Sequence, residues 1–98
     1  MNYIEISINA LGEYLIIYIN AKNKRLILNN IEKSITEEKI YDLLRIIRNW
    51  KGNYQNSKIM DGESFKIIIN TNEGTNIIKG KGNYPSNYQE FKEWISDL

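Results

Sequence analysis

Ninety-eight residues, 42% of them hydrophobic and 26% charged, suit one globular domain spanning residues 1–98 that hides roughly two-thirds of its unfolded surface in a single core. The chain contains neither cysteine nor histidine, which removes disulfides, thiolate nucleophiles, zinc-ribbon and iron–sulfur ligation, and imidazole as general base or metal ligand. Its 13 basic and 12 acidic side chains leave a net charge of +1, so no global field draws in nucleic acid or anionic lipid and any charged partner must be met by a local patch.

Ile4, Ile6 and Ile8 alternate with Tyr3, Glu5 and Ser7, the two-residue period of a strand with one buried face. Leu11-Gly12 breaks that pattern. Tyr14 to Ile19 is apolar on both faces, which predicts a strand in the middle of the sheet or beneath a second layer. Asn20 to Lys24 reads as a turn, with Asn23 suited to a positive φ, and Arg25 to Asn29 as the returning hairpin strand. Ser34 and Thr36 both fit a helix N-cap, and Ser34 stands at capping-box spacing from Glu37. The stripe Ile40, Leu43, Leu44, Ile47 and Trp50 then predicts a helix over residues 36–51, closed by Gly52 in the left-handed conformation. Gly52 to Gly62 is polar and aperiodic, hence a loop and a candidate contact segment.

Phe65, Ile67 and Ile69 alternate with Lys66, Ile68 and Asn70, and Ile77-Ile78 returns after a turn at Asn72-Glu73-Gly74. In the last element Ser86 and Gln89 repeat the capping-box spacing, while Tyr88, Phe91, Trp94, Ile95 and Leu98 define a second helical stripe. The order βββ-α-ββ-α with short hairpin connections predicts an α+β fold, an antiparallel five-stranded sheet with two helices packed on one face. No window approaches the ~20 consecutive apolar residues of a membrane span, and the opening residues lack the basic-then-apolar pattern of a secretion signal. The expectation is a cytoplasmic protein with no membrane contact. The abundance of Asn, Ile and Lys follows from AT-rich codons, and the regular isoleucine spacing opposes Asn-rich disorder.

Few residues offer chemistry. Gly74 and the run Gly80-Lys81-Gly82 miss the G-x-x-x-x-G-K spacing of a phosphate loop by one residue, and Gly74 belongs to a hairpin turn, so Gly80 and Gly82 are read as the bend into the last helix. The carboxylate pairs Asp61 with Glu63 and Glu90 with Glu93 fit a turn dipeptide and a solvated helix face better than acid–base or magnesium chemistry. No catalytic, cofactor-binding or metal-ligating residue is therefore assigned, and the chain is expected not to be an enzyme. Arg45, Arg48 and Lys51 recur every three residues along the flank of the first helix, where they suit an acidic protein surface or, weakly, phosphates. If Leu15, Ile17 and Ile19 point into the core, Tyr14, Ile16 and Tyr18 point outward beside Ile27 and Ile68, and an open patch of that kind marks an interface.

The stretch Asp61-Gly62-Glu63-Ser64-Phe65-Lys66-Ile67, followed by Gly80-Lys81-Gly82-Asn83-Tyr84-Pro85-Ser86-Asn87-Tyr88 and Phe91, resembles a group of small uncharacterised proteins of low-GC Gram-positive bacteria. Their signature is similar to Asp-Gly-x-x-aromatic, an alternating hairpin, then Gly-x-Asn-x-Tyr-Pro-x-Asn-aromatic opening a final helix. Gly82 stands here where that group often has Asn, with Asn83 just after it. The resemblance covers the C-terminal half and implies turn and cap chemistry, with no activity attached. The element order also looks like that of small proteinaceous protease inhibitors, an analogy of fold.

These readings converge on a small non-catalytic protein that acts as a stoichiometric inhibitor or accessory factor of a protein partner, in the manner of the anti-defence inhibitors, anti-CRISPR proteins among them, that AT-rich phages and mobile elements encode. The expected partner-binding residues are Tyr14, Tyr18, Arg45, Arg48, Lys51 and Tyr54, with the rest of the loop Asn53 to Met60. Two alternatives stay open. One is a sheet-surface binder of single-stranded nucleic acid using Tyr14 and Tyr18 beside Arg25 and Lys66; the other is a homodimer of structural or immunity type that covers the same face.

Overall fold

Alternation of isoleucine with polar residues does in the tertiary structure what the two-residue period requires. The computed structural model describes residues 1–10, 12–55 and 62–98. Its elements are β1 (Tyr3–Ala10), β2 (Glu13–Asn20), β3 (Arg25–Leu28), β4 (Ile31–Ser34), α1 (Glu37–Ile47), β5 (Asn53–Gln55), β6 (Ser64–Thr71), β7 (Gly74–Lys81) and α2 (Tyr88–Ser96). The strands form one sheet in the order β4-β3-β2-β1-β6-β7-β5. The α+β class is as expected, but the sheet has seven strands rather than five, and it is mixed because β5 runs parallel to β7.

One extra strand has a local cause and the other a contact made further along the chain. Asn29 and Asn30 take φ of 45° and 72°, the successive positive values of a tight hairpin turn, so the chain folds back at once and residues 31–34 pair with β3. At the preceding turn the positive φ falls on Lys24 (55°) rather than Asn23, while the Asn20 side chain accepts from the Lys22 and Asn23 amides. Strand β5 lies inside the predicted loop Gly52 to Gly62; the part of that loop from Asn56 to Asp61 lies outside the described residues, as does Leu11. Gly12, with φ of 85°, makes the β1–β2 turn.

Register aligns the buried side chains into rows. Leu28, Ile17, Ile6, Ile67 and Ile78 stand side by side across five strands, flanked by the row Leu26, Ile19, Ile4 and Ile69 and by the row Leu15, Ile8, Phe65 and Gly80. The apolar side chains of these rows form or pack against one core cluster with Ile40, Leu43, Ile46 and Ile47 of α1 and Phe91 and Trp94 of α2, so both helices cover the same side of the sheet. Each such aliphatic or aromatic side chain contributes roughly 1.5–3 kcal/mol by leaving water, which is why the helices dock there and leave the other side open.

One of the two N-cap candidates is realised, and two other helix-end expectations change. Thr36, not Ser34, caps α1, its hydroxyl accepting from the Lys39 amide at 3.1 Å, because Ser34 is held at the end of β4. Helix α1 stops at Ile47 instead of residue 51, and Gly52 has no positive φ: Trp50 swings back into the core, its amide bonded to the Ile47 carbonyl, and the Gly52 carbonyl accepts from Lys79. The Ser86–Gln89 capping box does not form. Asn87 holds the N-cap position of α2 without capping it, its side chain being used elsewhere.

Candidate interaction face

The side of the sheet away from the helices is built by the complementary set of residues in the same register. One row across it reads Glu32, Ile27, Tyr18, Glu5, Ile68 and Ile77. The next reads Ile16, Ser7, Lys66 and Lys79, and the one beyond reads Tyr14, Asn9, Ser64 and Lys81. Tyr14 is 59% exposed, Ile16 52%, Ile77 44% and Ile27 40%, a density of exposed apolar side chains that the helical layer would otherwise have covered. Tyr18 is half-buried and stacks on Tyr3, with ring centroids 5.6 Å apart and planes 23° apart.

The face is electrostatically uneven. Arg25 and Glu32 pair with each other at 3.1 Å near one edge. Lys66, Lys79 and Lys81 gather at the opposite corner and form no ion pair among the described residues. Together with Ser7, Asn9, Tyr14 and Ser64 they border a shallow depression of about 270 Å³. A second hollow of about 230 Å³ continues from it over Ser7, Ile16, Tyr18 and Ile68.

The residues expected at the contact do not all share this surface. Tyr14 and Tyr18 do. Arg45, Arg48 and Lys51 belong to α1 and the segment after it, in the helical layer, where the Arg45 guanidinium bridges Asp42 at 2.8 Å and Glu90 of α2 at 2.9 Å. Those two carboxylates raise the Arg45 pKa further above its ordinary value. Tyr54 packs its ring on Phe65 and accepts the Lys51 amide proton on its hydroxyl at 2.9 Å, a fastening of the β5 edge. Lys79 and Lys81 were missed by sequence reasoning because Gly80 and Gly82 around Lys81 pointed to a bend. The signal that finds them is the pairing of Ile77 with Ile68, which carries the period through Lys79 to Lys81.

On the helical side the polar groups are committed to structure. The Glu63 carboxylate accepts from the Tyr88 hydroxyl and from Lys92 Nζ, the latter at 2.6 Å, and the Tyr84 hydroxyl donates to the Glu63 carbonyl at 2.6 Å. Burial first, then the Glu63 hydrogen bond and charge, push the Tyr88 pKa well above its ordinary value. Asp61 lies outside the described residues, so its pairing with Glu63 is not part of this picture; Glu90 holds Arg45, and Glu93 is exposed. Among the described residues no group of acidic side chains is arranged to hold a metal ion, and no helix is long and apolar enough to cross a membrane.

No protein-family model and no curated protein matches the chain.

Proposed function

We propose that the chain is a non-catalytic binding protein that engages a protein partner through the helix-free face of its sheet, acting as a stoichiometric inhibitor or accessory factor. One observation carries this reading: the outward rows expose Tyr14, Ile16, Ile27 and Ile77 together, branched and aromatic side chains that a partner's apolar surface would desolvate. Absence of histidine and cysteine from the sequence points the same way, toward recognition rather than group transfer. Single-stranded nucleic acid on the same face is a second reading, favoured by the three lysines beside Tyr14.

Affinity capture from a lysate of the host tests the protein reading. A partner should be held in fixed ratio by the wild-type chain and by an Arg48→Ala variant, and be released by the double variant Tyr14→Ala, Ile16→Ser. Retention by the double variant, or capture of nothing in fixed ratio, overturns it.

A further inference from the structure

Resting on the reading of the helix-free face as the binding surface, we infer that the segment it holds is an extended stretch of a partner protein carrying carboxylates beside branched apolar side chains. Lys66 and Lys79 stand opposite each other on β6 and β7, and Lys81 follows Lys79 two residues on, roughly 7 Å along the strand. Carboxylates at alternate positions of an extended peptide repeat at that same spacing. The lysines border the depression with Ser7, Asn9 and Ser64, which supply further hydrogen-bonding groups, and none is neutralised by a carboxylate within ion-pair distance among the described residues. Between Ile27 and Ile77 the row beside them is apolar except for Glu5, between Tyr18 and Ile68, which repels an acidic residue placed there and so fixes the direction of the charge gradient.

Nucleic acid fits the same surface less well. Bases gain affinity by stacking on open rings, yet Tyr18 is already stacked on Tyr3 and leaves Tyr14 as the open ring beside the lysines, while Ile16, Ile68 and Ile77 fill the remaining positions. A second copy of the chain meets a charge mismatch, since the carboxylates that its own face offers the lysine corner are Glu5 and a Glu32 already paired with Arg25.

The test uses the full chain, isotopically labelled, with three probes: a fluorescent peptide alternating glutamate and valine, the same peptide with glutamine for glutamate, and oligothymidylate. The glutamate peptide should bind and shift the amide resonances of Ser7, Lys66, Lys79 and Lys81. The triple variant Lys66→Gln, Lys79→Gln, Lys81→Gln should keep the wild-type spectrum but bind about tenfold more weakly, the product of three exposed ion pairs, and the glutamine peptide should bind wild type as weakly. Equal affinity for both peptides, with both lost in Ile16→Ser, overturns the acidic assignment and leaves the sheet-face reading standing. Tighter, lysine-dependent binding of oligothymidylate transfers the face to nucleic acid and overturns it too. If no probe binds and light scattering shows a dimer that Ile16→Ser dissociates, the face belongs to a second copy and the inference falls.

Discussion

Gly80 illustrates how one hydrogen atom decides local packing. A Cβ built there would lie 2.5 Å from the Phe65 ring, 2.7 Å from the Tyr54 carbonyl oxygen and 2.9 Å from that of Asn83, so β5, β6 and the chain leaving β7 converge on a residue without a side chain. Its backbone angle is ordinary, and the requirement is one of space. Gly80→Ala should therefore lose about 1–3 kcal/mol in urea denaturation through overpacking. Gly52→Ala, whose Cβ would meet only the Ile77 carbonyl at 3.5 Å, should stay within about 0.5 kcal/mol of wild type. A similar economy governs Asn87. Its side-chain oxygen accepts the Trp50 indole proton at 2.7 Å and its amide donates to the Ile46 carbonyl at 2.8 Å, so a residue expected near a helix cap instead ties the end of α1 to the start of α2. The Tyr84-Pro85-Ser86-Asn87-Tyr88 stretch is thus a fastening: Tyr84 grips the Glu63 carbonyl, Pro85 is buried, and the Tyr84 and Tyr88 rings stack at 4.6 Å.

Helix α2 is held mainly by what its inner side meets. Phe91 is fully buried against Trp50, with ring centroids 5.2 Å apart, and Trp94 donates its indole proton to the Lys39 carbonyl of α1 at 2.9 Å. Its first residue, Tyr88, adds a titratable bond. Because the folded pKa of Tyr88 lies above the unfolded value of 10.0, the protonated phenol is the form the fold prefers. Its contribution is complete below that unfolded value and declines as pH rises above it, when the phenolate would sit beside the Glu63 carboxylate. Thermal melts from about pH 9 to about pH 11 should show wild type losing more stability than Tyr88→Phe across that window. Equal losses would mean that Tyr88 ionises as freely in the folded chain as in the unfolded one.

The sheet divides the molecule into a packed side and an open side, and adjacent residues of β2 report the two separately. Ile17 is fully buried between the sheet and the helices, so Ile17→Ala should cost about 2–5 kcal/mol. Ile16, one residue away, is 52% exposed, and Ile16→Ser should change stability by under about 1 kcal/mol while removing partner binding. Loss of folding in both variants would show that the open face is itself a structural surface. The helical layer contributes its own ion pairs, Arg45 with Asp42 and Glu90, yet these side chains are about half exposed and water screens the attraction, so the pairs add little to stability. The division between a packed face and an open one, more than any ion pair, is the reason the proposed contact is placed on the helix-free rows.

Strand and helix types were readable from periodicity because each depends on neighbours along the chain: the isoleucine alternation of residues 3–8, the apolar run 14–19 and the stripes through Leu43 and Phe91 all found their elements. The outward direction of Tyr14, Ile16 and Tyr18 was readable too, since alternate residues of a strand point to opposite sides. The β2–β3 and β6–β7 hairpins were readable as well, but the pairing beyond them and the exact register were not. Strand β5 exists because three residues meet β7 in parallel, Thr36 outcompetes Ser34 because β4 claims Ser34, and the lysine corner exists because β6 and β7 register Lys66 against Lys79. Of these, the β5–β7 contact joins segments separated in sequence and is decided by the shared core, while the other two depend on the exact extent and register of the β3–β4 and β6–β7 hairpins, which alternation alone does not fix.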